Sequence, residues 1–180
     1  MKPVLPHPLR LADLPQRKAT HVRLVPDAGQ MEALADRLDV DQFRKIRFEG
    51  ELSPGPGRDW TFTGHLGATV IQPCRVTTDP VTTRIEEDVT RRYTPDFDTP
   101  TEEEVELTED DAVEPLPEVI DMGDLLEEVL ALSIPEFPRS DGAEDIDLTA
   151  APPGVAPLTD DAVKPFAGLA ALKARLEGDG

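Results

Sequence analysis

Three neighbouring segments decide the fold: FRKIRFEGEL (43–52), WTFTGHLGATVIQ (60–72) and VTTRIEEDVTRRY (81–93). In each segment apolar and polar residues alternate, which is the pattern of a half-buried β-strand. A Pro/Gly turn (53–57) joins the first two segments, and residues 73–80 reverse the chain before the third. The pattern predicts an antiparallel β-meander with one apolar face, in a small sheet that is either open or barrel-like.

Two amphipathic helices are predicted to cover the apolar face. The first follows a short predicted strand (20–25) and begins at Asp27, which can form a capping box with Gln30. The second begins at the N-cap residue Asp121 and ends before Pro135. Their apolar stripes are Met31, Leu34 and Leu38 in the first helix, and Leu125, Leu126, Val129 and Leu130 in the second. The predicted fold class is therefore α+β, an antiparallel meander covered by helices.

The predicted organisation is a single α+β domain, residues 19–135, with extensions at both ends. Prolines in residues 1–18 indicate an extended N-terminal arm. The acidic residues 94–117 are predicted to be a mobile loop, because too few apolar side chains are present to offset an ordering entropy of roughly 1–2 kcal/mol per residue. Residues 136–163 have the composition of an acidic Pro/Ala-rich linker, and residues 164–176 have the apolar spacing of a short helix. That helix would offer a partner an apolar edge formed by Phe166, Leu169 and Leu172.

Charge is distributed unevenly along the chain. The formal net charge is -19 at pH 7, from 18 Lys and Arg against 37 Asp and Glu. Residues 1–92 carry 14 basic and 13 acidic residues, whereas residues 93–180 carry 4 and 24. Nucleic-acid backbones are bound through Lys and Arg, so only the first half could supply a basic face. The acidic loop could solvate the protein, dock a basic partner or shield that basic face.

The composition indicates a cytoplasmic protein with no catalytic site, metal or other cofactor, and no small-molecule substrate or membrane partner is expected. No apolar run approaches the ~18 residues of a membrane span. Cys74 is the single cysteine, so the chain has no internal disulfide. His7, His21 and His65 are far apart and lack metal-ligand spacing. The carboxylates are concentrated where the chain is predicted to be least ordered, which is unsuited to acid–base catalysis.

A candidate contact surface lies on the polar face of the predicted sheet, where strands can gather basic residues. One interpretation is that these residues pair with nearby carboxylates, as on most solvated faces, the carboxylates being those of Glu49, Glu51, Glu86, Glu87 and Asp88. The other interpretation is that they contact RNA or another partner. The candidate contact residues are Arg44, Lys45, Arg47, Arg84 and Arg92.

Three segments resemble motifs of the YceD family, the large ribosomal RNA subunit accumulation proteins. CRVTTDPV (74–81) resembles the family's Cys-x-x-Cys turn between two strands, and IDMGDLLEEVLALSIP (120–135) resembles its I-D-L…E-E…L-A-L-P helix. KPFAGLAALK (164–173) is similar to its closing N-P-F-A-x-L-x-x-L-K motif. The resemblance extends over most of residues 15–175. Thr77 stands where the family has its second cysteine, so a metal or redox role of this turn is not supported.

The resemblance implies a role in the synthesis, processing or stability of large-subunit ribosomal RNA, without catalytic residues to carry over. The expected function is that of a non-enzymatic binding protein whose partner is a ribosomal protein or the large-subunit rRNA precursor. Two alternatives are a direct RNA-binding module that uses the Arg-rich sheet face, and a general acidic interaction module for a basic protein. An enzyme would require His21, His65 and Cys74 to meet in a pocket.

Overall fold

The computed structural model describes residues 2–96 and 113–143. Within this part the protein is α+β. Residues 141–143 are the described portion of a second unit, Asp141–Gly180. The elements in chain order are β1 (Pro8–Arg10), a 3-10 turn (Leu11–Asp13), β2 (Thr20–Leu24), α1 (Ala28–Arg37), β3 (Gln42–Pro54), a second 3-10 turn (Pro56–Arg58), β4 (Trp60–Pro73), β5 (Pro80–Thr94), β6 (Val113–Pro115), β7 (Val119–Asp121) and α2 (Met122–Ser133).

Five strands form one mixed sheet in the order β2-β3-β4-β5-β6. The predicted meander is confirmed, because β3, β4 and β5 pair antiparallel in sequence order. The register of β4 with β5 runs without interruption from the Trp60–Tyr93 pair to the Pro73–Pro80 pair. The barrel-like alternative is wrong. The sheet begins at β2 and ends at the three-residue β6, and these two strands are not neighbours, so the sheet stays open.

A β-bulge interrupts β3 between Arg44 and Arg47. At this bulge Lys45 has a φ of +53°, a conformation that few residues other than glycine adopt. The extra residue allows Phe43 and Ile46 both to face the core, where each is only 2% exposed. Arg44 and Arg47 consequently lie on the opposite face of the sheet, although three positions separate them.

The inner face of the sheet is covered by both helices: α1 packs against β3, and α2 packs against β4 and β5. At the centre, the rings of Phe48 and Phe62 lie with their centroids 5.2 Å apart, and both side chains are fully buried. Burying one such side chain contributes on the order of 1.5–3 kcal/mol. Other fully buried side chains of this core are Leu34, Leu52, Leu66, Val70, Met122, Leu126 and Leu130.

Both predicted helix starts are confirmed. In α1 the Asp27 carboxylate accepts a hydrogen bond from the backbone N–H of Gln30 at 2.9 Å, and the Gln30 side chain accepts one from the N–H of Asp27 at 2.9 Å. In α2 the Asp121 carboxylate accepts from the N–H of Gly123 at 2.9 Å. The helix ends at Ser133, two residues before Pro135, as expected from the backbone restriction that proline imposes.

Residues 2–18, which fall in the predicted extended N-terminal arm, contain a short strand and pack against the rest of the domain. β1 pairs antiparallel with β7 in a separate two-stranded sheet. Leu5 and Leu11 are buried in the main hydrophobic core. The Asp121 carboxylate also accepts from the backbone N–H of His7, at 2.8 Å, so the N-terminal chain is fixed to the start of α2. A three-residue strand that begins with proline is too short to show periodicity in the sequence.

The predicted mobile loop, residues 94–117, is only partly described. Residues 97–112 lie outside the described residues, but Val113–Pro115 form β6, which pairs parallel with the end of β5. Arg91, on the inner side of β5, lies 2.6 Å from Glu114 of β6 and 2.5 Å from Glu128 of α2. This arginine therefore connects the sheet edge to the covering helix. The predicted linker is described only as far as residue 143, and the predicted helix 164–176 lies outside the described residues.

We predict that Gly123→Ala destabilises the protein, by about 1–3 kcal/mol. A Cβ atom at this position would lie 1.9 Å from the carbonyl oxygen of Leu5, so the N-terminal chain would have to move. The matched control is Gly29→Ala in α1, whose Cβ would lie 3.6 Å from the Asp27 carboxylate, an ordinary van der Waals contact. The control should be neutral or stabilising by up to about 1 kcal/mol. Urea denaturation followed by circular dichroism measures both, and an unchanged midpoint for Gly123→Ala would contradict the packing described.

Candidate binding surface

The outer face of the sheet, opposite the helices, is formed by alternate residues of β2 to β5 and is not covered by another element in the part of the chain that the structure describes. Cross-strand register places Arg23, Glu49, His65 and Asp88 in one row across four strands. The neighbouring row contains Arg47, Gly67 and Glu86. Basic and acidic side chains therefore alternate across this face, and the positions between them are mostly threonines.

Ion pairs connect many of these side chains. Glu49 lies 2.5 Å from Arg47 and 2.8 Å from Arg23, and Arg84 lies 2.6 Å from Glu86. The hydrogen bond from Arg47 holds the pKa of Glu49 below its ordinary value. Hydrogen bonds from His65 and Arg84 likewise lower the pKa of Glu86. These side chains remain 29–70% exposed, so the pairs are in contact with water.

Arg92 lies near the other end of the outer face, in the row of Thr61 and Ser53. Its guanidinium is 2.7 Å from the carboxylate of Asp59, a residue only 8% exposed. Hydrogen bonds from Arg92 and Thr94 lower the pKa of Asp59. Arg92 thus holds a largely buried carboxylate in its ionised form, which is a structural role.

Four basic residues converge near the bulge of β3. We call the surface formed by Arg44, Lys45, Arg47 and Arg84 the basic bulge surface. It borders a depression of about 440 Å³ whose lining is mixed in charge: Lys45, Arg47, Arg84, Glu49, Glu86, His65 and Gly67. Arg44 and Lys45 also line a second depression, together with Glu32, Asp36 and Asp41. Arg44 donates a hydrogen bond to the neutral Gln42 side chain at 2.7 Å. Neither Arg44 nor Lys45 has a carboxylate within ion-pair distance among residues 2–96 and 113–143.

Gly67 forms the floor of this depression. A Cβ atom on Gly67 would lie 2.6 Å from the guanidinium of Arg84, so the glycine allows that side chain to lie against strand β4.

His65 lies beside the depression and is held by two carboxylates. Its Nε2 is 2.7 Å from Glu86 and its Nδ1 is 2.9 Å from Asp88. Both ring nitrogens can donate only when the imidazole is protonated. These two hydrogen bonds therefore raise the pKa of His65, that from Glu86 having the larger effect.

Cys74 closes the turn between β4 and β5. Its Sγ accepts hydrogen bonds from the backbone N–H groups of Thr77 and Ser140, both at 3.3 Å, and from the Ser140 hydroxyl at 3.4 Å. The hydroxyls of Thr77 and Ser140 are 3.0 Å apart. These hydrogen bonds, led by those from Ser140 and Thr77, lower the pKa of the Cys74 thiol from 9.0 to about 6. The turn is thereby joined to the segment that follows α2.

The structure brings together four of the five predicted contact residues and separates Arg92 from them. The interpretation that the basic residues pair with nearby carboxylates is correct for Arg47 and Arg84. It does not hold for Arg44 or Lys45.

His21 of β2 forms an ion pair with Glu51 at 3.2 Å, whereas Cys74 lies in the β4–β5 turn. No group of three His, Cys, Asp or Glu side chains suited to a metal is found in the described residues. The predicted docking residues Phe166, Leu169 and Leu172 lie outside the described part.

Sequence reasoning missed two features of this surface. The bulge was not visible, because FRKIRFEGEL reads as continuous alternation from Ile46 onward and only Phe43 is out of phase. This position of Phe43 was the signal in the sequence from which a bulge could have been predicted. The pairing of Arg92 with Asp59 could not be found, because it joins residues 33 positions apart.

Comparison with known proteins identifies the family. The profile described as Large ribosomal RNA subunit accumulation protein YceD matches residues 62–173, more than half of the chain. The chain belongs to the YceD family, which confirms the resemblance found in the sequence. The family name links the protein to accumulation of large-subunit ribosomal RNA. Searches of curated proteins and of solved structures find no match.

Neither of the helices in the described part of the chain has the length and apolar composition needed to cross a lipid bilayer.

We predict that His65 titrates above the ordinary histidine value of 6.5 and that Glu86→Gln moves its pKa back down. Because the pKa of His65 is higher in the folded than in the unfolded protein, protonated His65 stabilises the folded state. This stabilisation is complete below pH 6.5 and is lost as pH rises through the pKa of His65 in the folded protein. The NMR chemical shifts of the His65 ring, followed against pH in the wild type and the variant, measure this. Identical titration curves in the two proteins would contradict the described hydrogen bond.

We also predict that the Cys74 thiol ionises near pH 6 and that Ser140→Ala raises this value, since it removes one donor. Because the pKa of Cys74 is lower in the folded than in the unfolded protein, the thiolate stabilises the folded state. This stabilisation is complete above about pH 9 and is lost as pH falls towards 6. Ultraviolet absorbance of the thiolate follows the titration, and Cys74 is the only cysteine that can contribute. Titration at the ordinary thiol value would show that these donors do not act on the sulfur.

Proposed function

We propose that this protein supports the accumulation of large-subunit ribosomal RNA as a non-enzymatic binding protein that engages a ribosomal component. The observation that carries the proposal is the outer face of the open sheet, which no other element of residues 2–96 and 113–143 covers, in a chain that belongs to the YceD family. An open antiparallel sheet with one packed and one solvated face provides a rigid surface for a partner. The proposed place of action is the cytoplasm.

The ion pairs of the outer face support a binding role because they can be exchanged. Exposed pairs such as Arg84–Glu86 contribute little to stability, since water solvates both charges when they separate. A partner that brings its own charges can therefore replace these contacts without unfolding the protein. The half-buried pairs on the inner side, such as Arg91 with Glu128, are not available in this way.

The excess of negative charge favours a basic partner. Residues 2–96 and 113–143 contain 22 Asp and Glu against 15 Lys and Arg, and the remaining residues add further net negative charge. Electrostatic complementarity accelerates association with a partner of opposite charge and makes binding depend on salt. A basic ribosomal protein is the component that best fits this overall charge.

We predict that the tagged full-length chain recovers a ribosomal protein or the large-subunit rRNA precursor from cell lysate, with less recovered as salt rises from about 50 to about 200 mM. Mass spectrometry and RNA sequencing of the bound fraction identify the component. An unrelated acidic protein of similar size and net charge is the control for non-specific adsorption. Recovery of neither component at either salt concentration, or equal recovery by the control, would reject the proposed function.

A further inference from the structure

We propose that His65 makes partner binding at the outer face depend on pH: when its ring loses a proton, the Asp88 carboxylate is released and can accept a basic side chain of the partner. This inference rests on the proposed function and specifies the regulation of the same surface. It concerns the middle of the outer face, because His65 belongs to β4, the third of the five strands in the sheet order, and lies between two carboxylates of β5.

The contacts of His65 are those of a protonated imidazole. Its Nε2 lies 2.7 Å from the carboxylate of Glu86, and its Nδ1 lies 2.9 Å from that of Asp88. A carboxylate only accepts hydrogen bonds, and a neutral imidazole has one N–H group, so both hydrogen bonds form together only when both ring nitrogens carry a proton. Loss of one proton directs a nitrogen lone pair at a carboxylate, and that contact must open.

Asp88 is the carboxylate that can leave. Its side chain is 97% exposed, and His65 is its hydrogen-bond and ion-pair partner in the described part of the chain. Glu86 is only 51% exposed and is also held by Arg84, at 2.6 Å. When Nδ1 loses its proton, Nε2–H continues to donate to Glu86 while the contact with Asp88 opens. Asp88 thereby becomes a free acceptor on the exposed face.

The charged groups around His65 balance one another. Its outward neighbours on β4, Thr63 and Gly67, carry no charge. The charged and titratable residues near it are His21 and Arg23 of β2, Lys45, Arg47, Glu49 and Glu51 of β3, and Arg84, Glu86 and Asp88 of β5. Apart from His21, basic and acidic side chains are equal in number in this set. Protonation of His65 therefore gives this part of the face a net positive charge, which opposes a basic partner.

The other carboxylates of this face do not depend on the same proton. Glu49 pairs with Arg47 and Arg23, at 2.5 and 2.8 Å, and arginine remains charged at any pH at which proteins are folded. Glu51 contacts one ring nitrogen of His21, at 3.2 Å. A neutral imidazole still has one N–H to donate, so this single contact can persist without the second proton. Release on deprotonation is therefore specific to a ring that holds two carboxylates.

The proton and the basic partner compete for the same carboxylate. The affinity of the partner consequently rises as pH increases through the pKa of His65. Binding free energies are reciprocal, so a bound basic group must lower the pKa of His65 to the same extent. Because the contact is exposed to water, the expected change in affinity is about two- to five-fold.

The test uses two single substitutions in the full-length protein. His65→Gln removes the ring that holds Asp88. His21→Gln is the matched control, because His21 lies on the same face and contacts one carboxylate, that of Glu51. The probe is triarginine amide, followed by NMR at the backbone amide of Asp88, which separates binding at this place from binding to other acidic parts of the chain. Circular dichroism and thermal unfolding verify that the variants fold.

We expect the wild type and His21→Gln to bind the probe about two- to five-fold more tightly at pH of about 8 than at about 5.5, and His65→Gln to bind it equally at both. Saturating probe should lower the pKa of His65, read from its ring shifts, in the wild type but not in Asp88→Asn. An equal pH dependence in His65→Gln and the wild type, an unchanged pKa of His65 with the probe, or no response at Asp88 would overturn the inference.

The two proposals can fail separately. If the chain recovers a ribosomal component from lysate and the probe shows no dependence on His65, the proposed function stands and the inference is wrong. If neither a ribosomal protein nor the rRNA precursor is recovered while the probe binds as expected, the proposed function is wrong, and the control of Asp88 by His65 is confirmed as a property of the outer face.

Discussion

The structure depends on one constraint: the β3-β4-β5 meander has a continuous apolar face that must be removed from water. Phe48 and Phe62 lie at the middle of this face, and both helices and the N-terminal chain contribute to covering it, while β2 and β6 extend the sheet. The helix α1 covers β3, and α2 covers β4 and β5. The N-terminal chain contributes Leu5 and Leu11 to the same core, which explains why it is ordered despite its prolines.

Polar contacts at the border of the core hold these covering elements in place. Glu127 of α2 accepts hydrogen bonds from the backbone N–H of Val4 and, at 2.6 Å, from Arg37 of α1. Arg91 connects α2 to the sheet edge in the same manner. Such partly buried pairs are costly to leave incomplete, because removing one partner leaves a charge that water cannot fully solvate. The inner side is thus fixed by shared partners, whereas the outer face has exposed pairs that can be exchanged.

The sequence predicted the elements with clear local signals and missed those that depend on distant contacts. The meander follows from period-two alternation, and the starts of α1 and α2 follow from Asp27 and Asp121, since capping is decided within four residues. β1 and β6 each have three residues, too few to show a period, and they exist because they pair with other parts of the chain. For the surface, the sequence supplied the basic residues, but only the cross-strand register and the bulge show that Arg44, Lys45, Arg47 and Arg84 meet and that Arg92 does not.

The parallel pairing of β6 with β5 also affects how the chain can vary in length. Because Val113 lies opposite Arg92 and Pro115 opposite Thr94, the connection leaves and rejoins the sheet at nearly the same point. The entropy of closing such a connection depends only logarithmically on its length, so that doubling it costs about 0.6 kcal/mol. Insertions and deletions between these strands are therefore thermodynamically inexpensive, and they leave the pairing of the remaining strands unchanged.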